Sequence, residues 1–154
     1  MTIRAKDYAA EIIEHRWLSK KTFEIKLRRP DSFNFKPSGR PAVLVASGTG
    51  IAPFRSIVRS GVFPEFILHG VKTPAELYYA EELQPATGSY VPCLSQSSKS
   101  QTYFKGRVTD YLQKNLRSNN YDFYLCGRRE MIRDVTLLVD ELFEGSLVYT
   151  ETFY

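Results

Sequence analysis

A turn built from Ser47-Gly48-Thr49-Gly50 carries the chemistry most easily read in this 154-residue chain. The apolar run Val43-Leu44-Val45-Ala46 before it makes a short buried strand, and Pro53 after it sits where a helix starts. Glycine reaches backbone angles closed to other residues and lets a ligand come close to the main chain. Proline suits the first turn of a helix, where its missing N–H is no loss. The N–H groups of that first turn, with the helix dipole behind them, attract a phosphate. Thr49 adds a hydroxyl that can cap the helix or reach the ligand. A strand-to-helix turn that binds nothing uses the same residues, so this segment needs company. The ordinary dinucleotide fingerprint is also not met. It requires a third glycine where Pro53 stands and an acid at the end of the next strand. That next strand, Glu65-Phe66-Ile67-Leu68-His69-Gly70, runs into Val71-Lys72 and supplies no acid.

The company lies at the ends of other apolar runs. Val71-Lys72, Ser95-Gln96 and Cys126-Gly127 each follow a strand-like segment. Such segments cover 42–46, 65–69, 90–94, 122–126 and 147–152. The segment from Met131 repeats Ile132, Val135, Leu138, Val139, Leu142 and Phe143 at helical spacing. Thr73-Pro74-Ala75-Glu76 has the form of a capping box that opens another helix. Strands alternating with helices predict an α/β fold: a parallel five-stranded sheet with helices on both faces and ligands at the carboxyl ends of the strands. All four small or polar turns fall at those ends.

Residues 1–40 read differently. Phe23, Ile25 and Leu27 alternate with Glu24, Lys26 and Arg28, the period of a strand with one wet face. Residues 8–17 supply a second strand and Lys20-Lys21 the turn. This segment carries ten Lys and Arg against five Asp and Glu, whereas the remainder is nearly balanced. An apolar content of 43% suffices for a core, and no run approaches the ~20 apolar residues of a membrane span. Met1 to Lys6 leads into no apolar stretch, so no signal peptide is expected and cytoplasmic location is the default. Cys93 and Cys126 lie far apart, with neither metal spacing nor a disulfide pattern. No dense basic stripe suggests nucleic acid. His15 and His69 have no evident partner, and neither is assigned a task.

Four ordered motifs resemble the ferredoxin–NADP reductase family: Gly48-Thr49-Gly50-Ile51-Ala52-Pro53, His69-Gly70-Val71-Lys72-Thr73-Pro74, Tyr90-Val91-Pro92-Cys93-Leu94-Ser95-Gln96 and Cys126-Gly127-Arg128-Arg129-Glu130-Met131. The resemblance covers 41–154 and implies an NAD(P)-binding domain there, with residues 1–40 a fragment of the antiparallel β-barrel that carries flavin. It implies a FAD-dependent oxidoreductase that moves hydride between NAD(P)H and flavin and then passes electrons to a ferredoxin, flavodoxin or other acceptor. The basic segment reads first as a solvated surface; as part of a flavin lobe it would steer an acidic carrier. By the same resemblance Gly48, Thr49, Gly50, Pro53, Val71, Lys72, Ser95, Gln96, Gly127 and Met131 hold the nucleotide. Cys126 lies beside the nicotinamide, Glu151 supplies an acid near the flavin, and Phe153 and Tyr154 stack on it. For Met131 an ordinary core position is an equal reading. Gln96 stands where NADPH-specific relatives have an arginine, which predicts tolerance of both nucleotides with a lean toward NADH.

One departure matters. The family holds flavin with an Arg-x-Tyr-Ser/Thr motif, and no such sequence occurs here. Only about ten residues separate Pro30 from Pro41, too few for the remaining strands of a barrel. The expectation is therefore an omitted internal segment, with a chain break between Pro30 and Pro41. The rival reading from another class is a non-catalytic NAD(P)-binding module, or an electron-transfer domain of a larger assembly.

Overall fold

The computed structural model describes residues 11–28, 38–96 and 102–152. The chain divides into two compact units, Met1–Lys36 and Pro37–Tyr154. The junction expected to be broken lies largely outside the described residues, as do Phe153, Tyr154 and residues 97–101.

In the first unit, β1 (Ile12–Trp17) pairs antiparallel with β2 (Phe23–Leu27), Trp17 opposite Phe23 and His15 opposite Ile25. The rings of His15, Trp17 and Phe23 meet edge to face, and His15 and Phe23 have centroids 5.4 Å apart. Charges of opposite sign pair across the strands at Arg16–Glu24 and Arg28–Glu11, 2.6 and 2.7 Å apart. The apolar side stays open: Trp17 is 65% and Phe23 51% exposed. A two-stranded ribbon in this state encloses nothing among the described residues.

The second unit is built on one parallel sheet. Its strands are β3 (Ala42–Ser47), β4 (Phe66–Val71), β5 (Ser89–Leu94), β6 (Phe104–Lys105), β7 (Asp122–Gly127) and β8 (Leu147–Thr152), in the spatial order β6-β5-β4-β3-β7-β8. Alternation along β3 sends Val43 and Val45 to one face and Leu44 and Ala46 to the other. The first face buries Leu68, Leu125 and Phe123 under α3 (Val108–Asn115) and α4 (Arg129–Leu142). The second buries Ile67 and Cys126 under Ile51 and Phe54 of α1 (Ile51–Arg59) and Leu83 of α2 (Ala80–Leu83). Both faces of β3 and β4 are thus dry, which explains why those strands read as unbroken apolar runs.

Three details differ from the sequence reading. The sheet has a sixth strand, β6, only two residues long, paired with Cys93 and Leu94 of β5. No periodicity can announce so short an element. Second, α1 begins at Ile51 with Gly50 as its cap, so Pro53 is its third residue rather than its first. The proline still costs nothing, because the first four helical N–H groups have no partner within the helix. Third, the segment after β4 forms one 3-10 turn (Pro74–Glu76) and the single-turn α2 in place of a full helix. Its capping box is present, and the Glu76 carboxylate accepts the N–H groups of Lys72 and Thr73 at 2.8 and 3.3 Å.

Strand order reverses between β3 and β7, and there two turns interlock. A Cβ on Gly50 would overlap the carbonyl of Cys126. A Cβ on Gly127, whose φ is 137°, would overlap the Ser47 side chain. Ser47 Oγ accepts the Arg128 N–H at 2.9 Å and closes the junction. The obstacle at Gly50 is backbone, which cannot swing aside. Gly50→Ala should therefore destabilise the domain by about 2 kcal/mol or more, measured by urea denaturation. A loss below ~0.5 kcal/mol would show that the two turns are not locked together.

Candidate functional site

A cavity of about 600 Å³ opens over the carboxyl ends of β3, β4 and β5 and the start of α4. Its floor is Gly48 from the first turn, Gly70 and Val71 from β4, and Cys93 from β5. Its rim carries Lys72, Ser95, Gln96, Arg107, Arg128, Glu130 and Met131. Three distant segments of sequence arrive here because parallel strands deliver all their carboxyl ends to one edge. The ends of β4 and β5 are also tied together: the N–H groups of Ser95 and Gln96 donate to the carbonyls of Val71 and Lys72 at 3.1 and 3.2 Å.

The cleft thus gathers Gly48, Val71, Lys72, Ser95, Gln96 and Met131 from the residues singled out in the sequence. Thr49 is exposed, Gly50 buried and Pro53 half-buried, and none of the three lines the cavity. Cys126 is 1% exposed and packs under α1, so its thiol forms no part of the cavity wall. Burial, and then the Glu151 carboxylate, push that thiol up to about 12, so it stays protonated and is not a nucleophile. Glu151 is the register partner of Cys126 across β7 and β8. The two residues assigned to the nicotinamide end are therefore neighbours, beside the cavity rather than in it.

Arg128 and Glu130 of the fourth motif also line the cleft, together with Arg107 and Asp134, which sequence reasoning missed. Arg107 caps α3 and Arg128 caps α4, so two helix N-termini open at this edge with a guanidinium at each. The Arg107 N–H donates to Asp110 at 2.7 Å. An acid three residues after a turn position is a legible helix-start signal, and Gly106-Arg107-Val108-Thr109-Asp110 carried it. Positive charge from Lys72, Arg107 and Arg128 is set against Glu76, Glu130 and Asp134. Of these acids, Glu76 is occupied by backbone amides and Asp134 by Arg133, 2.7 Å away. Three cations thus face three carboxylates, and the two helix N-termini at this edge are what tip the site toward an anion.

His69 corrects the sequence reading most sharply, because it has two partners. It is fully buried in β4, with Nε2 2.9 Å from the Gly48 carbonyl and Nδ1 2.9 Å from the Tyr90 hydroxyl. A carbonyl only accepts, so Nε2 carries the proton and Nδ1 accepts from Tyr90. Burial lowers the imidazole pKa to about 4, against weaker support for the charged form from the Gly48 carbonyl and from Glu76.

Comparison with known proteins decides the family. The description "Oxidoreductase NAD-binding domain" matches residues 44–136, more than half of the chain. The chain belongs to this family. Within it, the chain is 32% identical over 136 residues to the anthranilate 1,2-dioxygenase electron transfer component of Acinetobacter baylyi, covering 79% of this chain and 39% of the relative. It is 29% identical over 138 residues to an NAD(P)H-flavin reductase of Vibrio harveyi, covering 80% and 58%. Among solved structures, the cytochrome P450 reductase GcoB of Amycolatopsis superposes with a TM-score of 0.66 at 25% identity, over 89% of this chain and 47% of that one. A ferredoxin NADP+ reductase from Neisseria gonorrhoeae shares the fold, with a TM-score of 0.59 at 20% identity over 77% of this chain and 58% of that one. This oxidoreductase NAD-binding domain spans from 34% to 58% of the length of the curated relatives it matches. Among the described residues, no helix is long and apolar enough to cross a membrane.

The His69 environment dictates a pH response. Its folded pKa of about 4 lies below the ordinary 6.5, so between those values the unfolded chain binds a proton that the native domain does not. Stability is full above pH ~6.5 and falls as pH drops toward ~4, by roughly 3 kcal/mol in total. Denaturation curves of the wild type and of His69→Gln at pH 7 and pH 4.5 should show that the histidine adds to acid loss of stability. Parallel losses in the two proteins would mean that His69 is not buried neutral.

Proposed function

We propose that this chain is the NAD(P)H-binding part of a FAD-dependent oxidoreductase of the ferredoxin–NADP reductase type. One observation carries the reading: a glycine turn, two helix N-termini and three cationic side chains converge on one cavity at the strand-order reversal. A pyrophosphate is the ligand chemistry that uses all of them. In this pose the Gly48 turn and the first turn of α4 bind the phosphates, and Ser95 and Gln96 border the adenosine. The nicotinamide points toward Met131, Cys126 and Glu151. Cys126 and Glu151 flank that end from beside the cavity, the thiol neutral and packed under α1 and the carboxylate supplying negative charge.

FAD is the electron carrier of this family, and it accepts hydride when bound. The described residues do not by themselves fit it. The ribbon of β1 and β2 encloses nothing, and the flavin-holding Arg-x-Tyr-Ser/Thr sequence is absent. No step is therefore assigned to a flavin on these residues. The same observation favours the second reading, a nucleotide-binding module that works with a flavin lobe held elsewhere. Relatives named as electron transfer components of dioxygenases support an oxygenase or a ferredoxin as the downstream partner.

Nucleotide choice follows from the rim. Gln96 offers no cationic fork, which supports the lean toward NADH. Arg107 and Lys72 border the same edge, which supports use of NADPH as well. Fluorescence titration should give saturable binding of both nucleotides by the wild type. Arg107→Gln should weaken NADPH about tenfold more than NADH, equivalent to ~1.4 kcal/mol. Equal effects on the two would remove Arg107 from the phosphate end, and no binding of either would sink the proposal. A flavin absorbance band in the purified protein decides for the enzyme. A colourless protein that still binds nucleotide decides for the module.

A further inference from the structure

The Gly48 turn lines the cavity, and its shape is set from beneath as well as by its own sequence. Gly48 has a φ of 55°, and its surroundings are open on the side where a Cβ would stand. Glycine leaves ψ of Gly48 free, but turning the Gly48–Thr49 peptide over would also carry the φ of Thr49, a β-branched residue, into a region it resists, so the orientation is set jointly by Thr49 and by what holds the Gly48 carbonyl. The two orientations have opposite chemistry. In a planar trans peptide the carbonyl and the N–H point in opposite directions. If the Gly48 carbonyl faces the cleft, it repels phosphate. If it faces the sheet, the Thr49 N–H faces away from the sheet.

The structure resolves the choice through His69. This residue sits in β4 opposite Ala46 of β3, the last buried position before the turn. Its Nε2–H takes the Gly48 carbonyl at 2.9 Å and turns it inward. Tyr90, on the next strand, holds the ring from the other side at 2.9 Å. The phenol matters because it donates to Nδ1. A donor at Nδ1 makes that nitrogen the acceptor and so keeps the proton on Nε2, where the carbonyl needs it. Two strands thus specify the tautomer, and the tautomer fixes where the Gly48 carbonyl is held.

We propose that His69, oriented by Tyr90, is a positioning residue for nucleotide binding: it holds the Gly48 carbonyl on the buried imidazole and so fixes the shape of the turn where Gly48 lines the cavity. The proposal rests on the nucleotide reading of the cleft. His69 touches no ligand and carries no charge at neutral pH, so its contribution is one of preorganisation.

The test measures the Kd of NADH on folded protein, with melting temperature recorded for each variant. His69→Leu keeps bulk but cannot donate, and its affinity should fall about tenfold or more. His69→Gln carries an amide N–H near the Nε2 position, and its affinity should return to within about threefold of wild type. Tyr90→Phe removes only a hydroxyl, which covers the case in which the leucine variant does not fold. It should weaken NADH about threefold or more. Leu68→Ala opens a void on the opposite face of the same strand. It should lower the melting temperature while leaving Kd within about twofold. Wild-type affinity in both His69→Leu and Tyr90→Phe overturns the proposal, as does a loss in Leu68→Ala that matches theirs. If the wild type itself fails to bind NADH, the cleft reading falls, which is a different result from a binding wild type with unaffected variants.

Discussion

The close approach of two backbone turns at the point where strand order reverses is the constraint on which this domain depends. Gly50 lies on the Cys126 carbonyl, Gly127 lies on Ser47, and the Arg128 N–H closes the contact onto Ser47 Oγ. Any side chain at either glycine would force β3 and β7 apart at their carboxyl ends. The spacing of those strands fixes where α1 and α4 begin, and α4 begins at the rim of the cavity. Packing and site geometry are here the same fact.

His69 extends that constraint to a third strand. By linking Gly48 on the first turn to Tyr90 on β5, it connects β3, β4 and β5 at the depth of the cavity floor. Burying a histidine between a carbonyl and a phenol costs proton affinity, visible in its lowered pKa. The cost is tolerable because both ring nitrogens are satisfied and the neutral form suffices. Around this rigid floor the charged rim is built from longer side chains, Lys72, Arg107 and Arg128, which can follow a ligand.

The parallel sheet was legible because β3, β4 and β7 are buried on both faces and read as apolar runs closed by glycine or serine. The long helix α4 was legible because Met131, Ile132, Val135 and Val139 keep its period. The floor of the cleft was legible for the same reason, since strand ends declare themselves. What stayed hidden depends on tertiary pairing. The two-residue β6 has no pattern of its own, and Arg107 enters the site only because β6 and α3 bring it there. His69 looked partnerless because its partners are 21 residues away on either side in sequence. The ribbon of β1 and β2 was readable as paired strands, but what covers its apolar side is not written in those residues.

The central claim is that the cavity at the carboxyl edge of the sheet is the nucleotide site. Amide hydrogen exchange measured with and without NADH tests it most directly. The account predicts joint slowing of exchange at residues 48–50, 71–72, 95–96 and 128–131, with β1 and β2 unchanged. Slowing confined to the opposite edge of the sheet or to the β1–β2 ribbon would contradict it.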